Sequence, residues 1–320
     1  MEKIMKRLLK ILLPLILISS VLAGCGSTTN TAEIEAPMEG VSTSIVLTDG
    51  LGREVILASP ATRIVSLSPS NTELLYVVGA GDQVVGRDSF SDYPADASAL
   101  PDIGGGYSEY NLEMLLSLEP DLVLAAEINT AELVQSIEDL GIQVFYIKNP
   151  LTLDDLYTTI QDVGLLSGHE DAAQQVISEA TERVAVIVST IENATTTPTV
   201  FYELDATDPT KPYTPGQDTF YSTLIQMAGG KNVGDAMETS WAQISLEELL
   251  IQDPDIILLG DSIWGITPES LVDREGWSTL SAVQSGNVFP FDDNLLARPG
   301  PRLIDGLEAL AQVIHPEVFE

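Results

Sequence analysis

The sequence predicts an α/β protein of two lobes with mainly parallel sheets, joined by one long helix. Three features carry that prediction. Residues 111–125 (NLEMLLSLEPDLVLA) recur in kind at residues 245–259 (SLEELLIQDPDIILL), an offset of 134 residues. Apolar runs of strand length alternate with helical patterns on both sides of the middle of the chain, the order that builds parallel sheets. Between the halves, from Glu170 to about Ile191, Val176, Ile177, Ala180, Val184 and Ile187 fall on one helical face at three- and four-residue spacing.

Each repeat copy opens on a cap-type residue, Asn111 or Ser245, followed by Leu-Glu. Ser245 with Glu248 has the capping-box pattern. Pro120 and Pro254 stop the helices, and the apolar run behind each reads as a buried strand. Repeat arrays have shorter periods than this, so the copies mark two lobes of similar build.

The other elements follow in order. Residues 45–47 and 54–57, around Asp49-Gly50-Leu51-Gly52, form a hairpin. RIVSL at 63–67 is a buried strand, and Ser70 with Glu73 is placed to cap a helix through Val78. A strand at 83–86 leads into a long loop, 88–110, of the length that usually carries function. After the first copy come a helix at 130–140, a strand at 143–147 and a helix at 152–167. The linking helix would span about 33 Å at 1.5 Å per residue; the alternative is a crossover helix within one large domain. Beyond it lie a strand at 199–204, a second polar loop at 205–219 and a helix at 220–228. A short helix near Trp277, a strand at 288–291 and a closing helix at 303–314 follow the second copy.

Residues 1–24 combine Lys3, Lys6, Arg7 and Lys10 with an apolar run from Leu8 to Leu22 broken by Pro14, the pattern of a signal peptide. The run ends in Leu22-Ala23-Gly24 directly before Cys25, the only cysteine. A lone thiol serves poorly outside the cell, whereas acyl chains on Cys25 would hold the protein on a membrane, so Cys25 is read as a lipidation site. The expected domains are therefore a signal peptide at 1–24 and a flexible tether at 25–44. An N-terminal lobe at 45–167, a connecting helix at 168–197 and a C-terminal lobe at 198–320 complete them. The expected location is extracytoplasmic, lipid-anchored to the cell membrane. No second apolar run reaches membrane-spanning length.

The net charge is −34, and removing residues 1–24 leaves 10 basic against 47 acidic residues. That balance argues against nucleic acid and anionic membrane surfaces as partners. No phosphate-binding loop, dinucleotide fingerprint or Gly-x-Ser-x-Gly elbow is present; Gly104-Gly105-Gly106 lacks the helix start that a fingerprint needs. The two histidines, His169 and His315, cannot form a three-histidine metal site and are both expected at the surface. A secreted acid–base enzyme stays open as an alternative, because 47 carboxylates make pairs easy to form. In sheets of this kind ligands sit beyond the carboxyl ends of the strands, where the long loops leave. Tyr93, Tyr107, Tyr110, Tyr213, Phe220, Trp241 and Arg298 could all face one cleft there.

The chain resembles the class III solute-binding proteins of ABC importers, the group that carries cobalamin, ferric siderophores and haem. The resemblance rests on RIVSLSPSNTELLYVVGAGDQVVGRDSFSDYP (63–94), NLEMLLSLEPDLVLA, FYSTLIQMAGGKNVG (220–234), WAQISLEELLIQDPDIILL (241–259) and ARPGPRLIDGLEALAQVIHP (297–316). It covers roughly residues 45–316. It implies a monomer with two α/β lobes on a rigid helix, a ligand between them, little hinge closure and no intrinsic cofactor or metal. It also implies a permease dimer with its ATPase subunits as partner.

Within that group the motifs are most similar to those of the cobalamin binders. SDYP puts Tyr93 where they carry a cleft aromatic, and Phe220 and Trp241 match two more. Arg298 matches the arginine of the last loop, where the relatives have an aspartate four residues earlier. This chain has Asn294 there, and Asp293 is the adjacent carboxylate. Tyr107 joins the set from the long loop. Core packing is the alternative for the aromatics, and a structural salt bridge for Arg298. The resemblance implies cobalamin or a related corrinoid as ligand, with a ferric siderophore or haem as the alternative; for an anionic ferric complex the chain offers Arg87, Arg298 and Arg302. Glu113 and Glu247, at matching places in the two copies, correspond to glutamates that meet arginines on the two permease subunits. A carboxylate in the first turn of a helix also simply favours the helix dipole, which would explain either residue.

Overall fold

A computed structural model describes residues 44–319. The expected signal peptide, Cys25 and nearly all of the expected tether lie outside the described residues. The N-terminal half opens with an antiparallel hairpin, β1 (Ile45–Thr48) and β2 (Glu54–Leu57). Then come β3 (Ile64–Ser66), α1 (Pro69–Val77), β4 (Val84–Arg87), α2 (Leu112–Ser117), β5 (Leu122–Ala126), α3 (Ala131–Glu138), β6 (Val144–Ile147) and α4 (Leu153–Ser167). The linking helix α5 is Glu170–Ile191. Beyond it lie β7 (Thr199–Glu203), β8 (Tyr213–Pro215), α6 (Phe220–Met227), β9 (Lys231–Asn232), β10 (Trp241–Gln243), α7 (Leu246–Gln252), β11 (Ile256–Leu259), α8 (Ser281–Ser285), β12 (Val288–Pro290) and α9 (Leu303–Ile314).

The halves repeat one topology. The first sheet runs β4-β3-β5-β6 and the second β9-β7-β11-β12, with every pair parallel. In each sheet the first strand in the chain lies second, flanked by the second and third strands, so the order reverses between β3 and β5 and between β7 and β11. Parallel α/β sheets form their ligand crevices at such reversals.

The two sequence copies become α2–β5 and α7–β11. Asn111 accepts the Met114 amide at 2.9 Å, and Ser245 accepts the Glu248 amide at 3.1 Å. The box at Ser245 is only half made, because Glu248 takes the Gln252 amide group at 2.8 Å instead of turning back to the cap. Each copy leaves its helix through a left-handed residue before the proline, Glu119 (φ 47°) and Asp253 (φ 42°). At α1 the expected cap is corrected. Ser68, not Ser70, accepts the Asn71 amide, and Glu73 forms no capping box; its carboxylate reaches Arg302 in the other half. The expected loop at 205–219 contains β8, which pairs with β10 in a short antiparallel ribbon that opposes Trp241 to Pro215. Three-residue strands are too short to show a period, so the sequence carried no sign of this ribbon.

One continuous core joins the halves. Ile64, Leu122 and Leu124 from the first sheet and Val200, Tyr202, Ile256 and Leu258 from the second pack in the same apolar layer as α4, α5, α6 and α9. The alternate residues, such as Val65 and Val123 or Phe201 and Ile257, point to the far faces, where α2 and α3 or α7 and α8 cover them. α5 buries Ala173, Ala180 and Ile187 at seven-residue intervals and packs against both α4 and α9.

At its N-terminal end α5 approaches α4 closely. A Cβ on Gly164 would stand 2.5 Å from that of Ala173, so only glycine lets the helices meet. We predict that Gly164→Ala, despite a better helix propensity, destabilises the protein by about 1–3 kcal/mol in urea unfolding. Adding Ala173→Gly should recover part of that loss. Two losses that simply add would place the fault elsewhere.

Candidate functional site

The carboxyl ends of β3, β4 and β5 open onto a cleft of about 600 Å³ whose opposite wall comes from the second half. Leu67, Ser68 and Asp88 follow β3 and β4 directly, Ala126 ends β5 and Glu127 and Ile128 follow it; Trp241 and residues 297–299 face them. The long loop contributes Phe90, Gly106 and Tyr110.

Three aromatic side chains shape this cleft, each held differently. Tyr110 is fixed at its hydroxyl, which donates to the Leu67 carbonyl at 3.0 Å and accepts from Asn129 at 2.8 Å. Burial, with Asp88 adding to it, pushes its pKa up to about 12, so it stays a neutral donor. Phe90 is oriented by its own backbone, whose amide donates to Asp88 at 2.9 Å. Gly106 lies against that ring so closely that any Cβ there would overlap it. Trp241 is half-exposed on β10 and stands edge-on to Tyr221 (5.7 Å, 88°) and to Phe220 (6.3 Å).

The sequence-predicted residues fall into three groups. Tyr110, Trp241 and Arg298 line the cleft, whereas Tyr213 does not. Phe220 and Asp293 stand behind its wall. Phe220 is buried against Tyr221 and Trp241, and Asp293 accepts the hydroxyls of Tyr202 (2.8 Å) and Tyr221 (2.9 Å), fixing the ring on which Trp241 rests. Burial raises the Asp293 pKa and, still more, those of the two tyrosines. Tyr93 and Tyr107 form the third group. Tyr93 lies under the Arg302 guanidinium, 4.3 Å from ring centre, and borders a separate cavity of about 420 Å³ between α1, α5 and α9. Tyr107 is 90% exposed and touches the cleft only through an edge contact with Phe90 at 5.3 Å.

Phe90 is the cleft aromatic that the sequence reading passed over. It lies three residues before Tyr93 in the same stretch, RDSFSDYP. No signal within that stretch separates the two, because it is Arg302, from the other half, that covers Tyr93. Arg298 donates to Asp92 at 2.6 Å and lies 3.6 Å from Glu73, so its guanidinium enters the cleft already paired. Glu113 and Glu247 are exposed in the first turns of α2 and α7. His315, expected at the surface, is buried instead: it closes α9 against the Gly229 carbonyl at 3.2 Å, with Glu317 at its other nitrogen.

The sequence profile of the periplasmic binding protein family matches residues 64–295. The chain belongs to this family. It is 32% identical to an uncharacterised ABC transporter substrate-binding lipoprotein of Bacillus subtilis, across 99% of this chain and all of that one. It is 30% identical to a cobalamin-binding protein of Halobacterium salinarum, across 83% of this chain and 73% of that one. Among solved structures, a possible iron-binding periplasmic solute-binding protein of Staphylococcus epidermidis is similar, with a TM-score of 0.70, 29% identity, and 80% of this chain and 100% of that one covered. The family and these relatives are solute-binding proteins, not enzymes, and work outside the cytoplasm with the permease and ATPase parts of ABC transporters. Among the described residues no helix is long and apolar enough to cross a membrane.

Behind the second sheet's carboxyl edge lies a buried charge cluster. Glu203, fully buried at the end of β7, takes both Arg274 nitrogens at 2.6 and 2.9 Å, and Arg274 stacks on Trp277. Asp261, just past β11, is the odd charge. Burial, reinforced by Glu203, pushes its pKa up to about 7. The folded chain thus keeps a proton that the unfolded chain releases near the ordinary carboxylate pKa of about 3.9. Its stabilising contribution is complete below that value and is lost as pH rises through about 7. Asp162, raised to about 6 by burial, acts in the same direction. We predict a melting temperature higher at about pH 5 than at about pH 8, with a smaller difference in Asp261→Asn. An unchanged difference in that variant would remove Asp261 as the cause.

Proposed function

We propose that the protein is the substrate-binding component of an ABC importer, held outside the membrane by lipid on Cys25, and that it captures cobalamin or a related corrinoid in the cleft. One observation carries the choice of ligand. Phe90 and Tyr110 from the first half and Trp241 from the second border one cleft, and among the described residues Arg298 is the only cationic side chain lining it. A corrinoid is a broad, largely apolar ring edged with amides. Flat aromatics bury such a ring, while a few polar groups fix its orientation. The similarity to the Halobacterium cobalamin-binding protein supports the same ligand. A ferric siderophore or haem is the second reading, favoured by the similarity to the Staphylococcus structure.

Calorimetric titration with cyanocobalamin, haemin and ferric siderophores separates the two. We expect one-to-one binding of cyanocobalamin in the submicromolar range, where nanomolar and micromolar constants bracket roughly 12 to 8 kcal/mol. Trp241→Ala and Phe90→Ala should each weaken it by roughly 1–3 kcal/mol with little change in melting temperature. Saturable heat with haemin or a siderophore alone would favour the second reading.

We also propose that Glu113 and Glu247 dock the protein on the permease. Both are exposed, at equivalent places in the two halves, and the shared core holds those halves in fixed register. Changing both to Gln should leave ligand affinity and melting temperature nearly untouched. Transport and permease association should fall and lose salt sensitivity. Full uptake by the double variant would return both residues to the plain role of favouring the helix dipole.

A further inference from the structure

We propose that Glu73 and Asp92 make the cleft selective by charge, holding Arg298 neutralised so that the site accepts neutral ligands and rejects anionic ones. The inference rests on the reading of this cleft as the ligand site.

The three arginines that an anionic chelate would need are already engaged. Arg298 holds Asp92 at 2.6 Å with Glu73 at 3.6 Å, Arg302 holds Glu73 with two contacts of 2.8 and 2.6 Å, and Arg87 holds Asp102 at 3.0 Å. Glu73 is shared between two guanidinium groups and is only 2% exposed. Its α1 belongs to the first half, whereas Arg298 and Arg302 belong to the second, so the cluster also ties the two walls together. The carboxylates that line the cleft itself are Asp88 and Glu127, and among the described residues Arg298 is the only cation lining it. Glu127 is spent on the Asn149 amide at 2.9 Å, and Asp88 on Ser91 and the Phe90 amide.

An anion entering this site gains little from an arginine whose charge Asp92 already balances, with Glu73 shared between it and Arg302. It also meets Asp88 and Glu127 at close range, where each like charge costs more than in bulk water. A neutral ligand pays neither penalty and can still receive hydrogen bonds from guanidinium nitrogens not turned to Asp92. Glu73 and Asp92 are thus positioning residues for Arg298, setting both its direction and the net charge the ligand feels.

Asp92 is the residue to test, because its side chain is two-thirds exposed and its loss leaves the buried Glu73–Arg302 pair intact. Two readouts apply to the full chain. In the first, Asp92→Asn is compared with the unaltered protein for a neutral ferric trishydroxamate against an anionic ferric triscatecholate, and for cyanocobalamin against a monocarboxylate made from it. We expect a preference of about tenfold or more for the neutral member, cut at least about threefold by the substitution and weakened by salt. The second readout needs no ligand. In a Trp264→Phe background, iodide quenching of Trp241 fluorescence should rise about twofold on Asp92→Asn, while quenching by neutral acrylamide stays constant. Equal iodide quenching before and after the change, or tighter binding of the anionic member by the unaltered protein, would overturn the inference. Failure of cyanocobalamin to bind, with the charge preference intact, would overturn the corrinoid reading alone.

Discussion

Both sheets bury one face in the same apolar layer, and α5 lies within that layer between α4 and α9. Two sheets with separate cores would be free to swing about a linker, as domains commonly do. Here, relative movement would have to pull Ala173, Ala180 and Ile187 off their neighbours, at roughly 25 cal/mol for each Å² of apolar surface exposed. The close approach at Gly164 adds a contact with no slack for sliding. Everything at the cleft depends on this, because its walls come from both halves.

Most of the scaffold was legible because it follows local rules. The repeat announced itself through a cap, an apolar turn, a proline and a buried strand, and each of these is fixed by residues within one stretch. The parallel sheets and the extent of α5 follow from the same kind of pattern. What the sequence concealed were long-range choices. Glu73 stands three residues after Ser70, so it reads as a capping partner, yet a guanidinium 229 residues away outcompetes the helix end for its carboxylate. His315 looked like a surface residue because it precedes a proline near the chain end, but the tertiary fold closes over it.

The site divides along the same line. Trp241 and Arg298 lie in the cleft, whereas Phe220 and Asp293 lie one layer back, gripping the ring that Trp241 leans on. A sequence motif can report that such residues belong together without saying which of them a ligand would touch. Phe90 and Tyr93 show this most clearly. The two lie three residues apart in one loop, and the hydrogen bond from the Phe90 amide to Asp88 directs the first toward the cleft while Arg302 covers the second. Arg302 comes from the opposite half, so no local reading of RDSFSDYP could have separated them.

The acidity of the chain also takes on a local meaning here. With basic residues so scarce, a guanidinium beside the cleft is easily surrounded by carboxylates, and a partly buried arginine needs such partners to offset its lost hydration. Those partners come from α1 and the loop after β4, in the half opposite to Arg298 and Arg302. An ion cluster that crosses between halves keeps its geometry only if the halves keep theirs. The shared core supplies that fixity, and α5 supplies the core with its continuity. A change in the packing of α4 on α5 would therefore reach the cleft through Glu73, because the length of the Glu73–Arg302 bonds leaves no room for the walls to drift apart. Rigidity and the geometry of the cleft are in this sense one property of the fold, set by how a single helix face is buried.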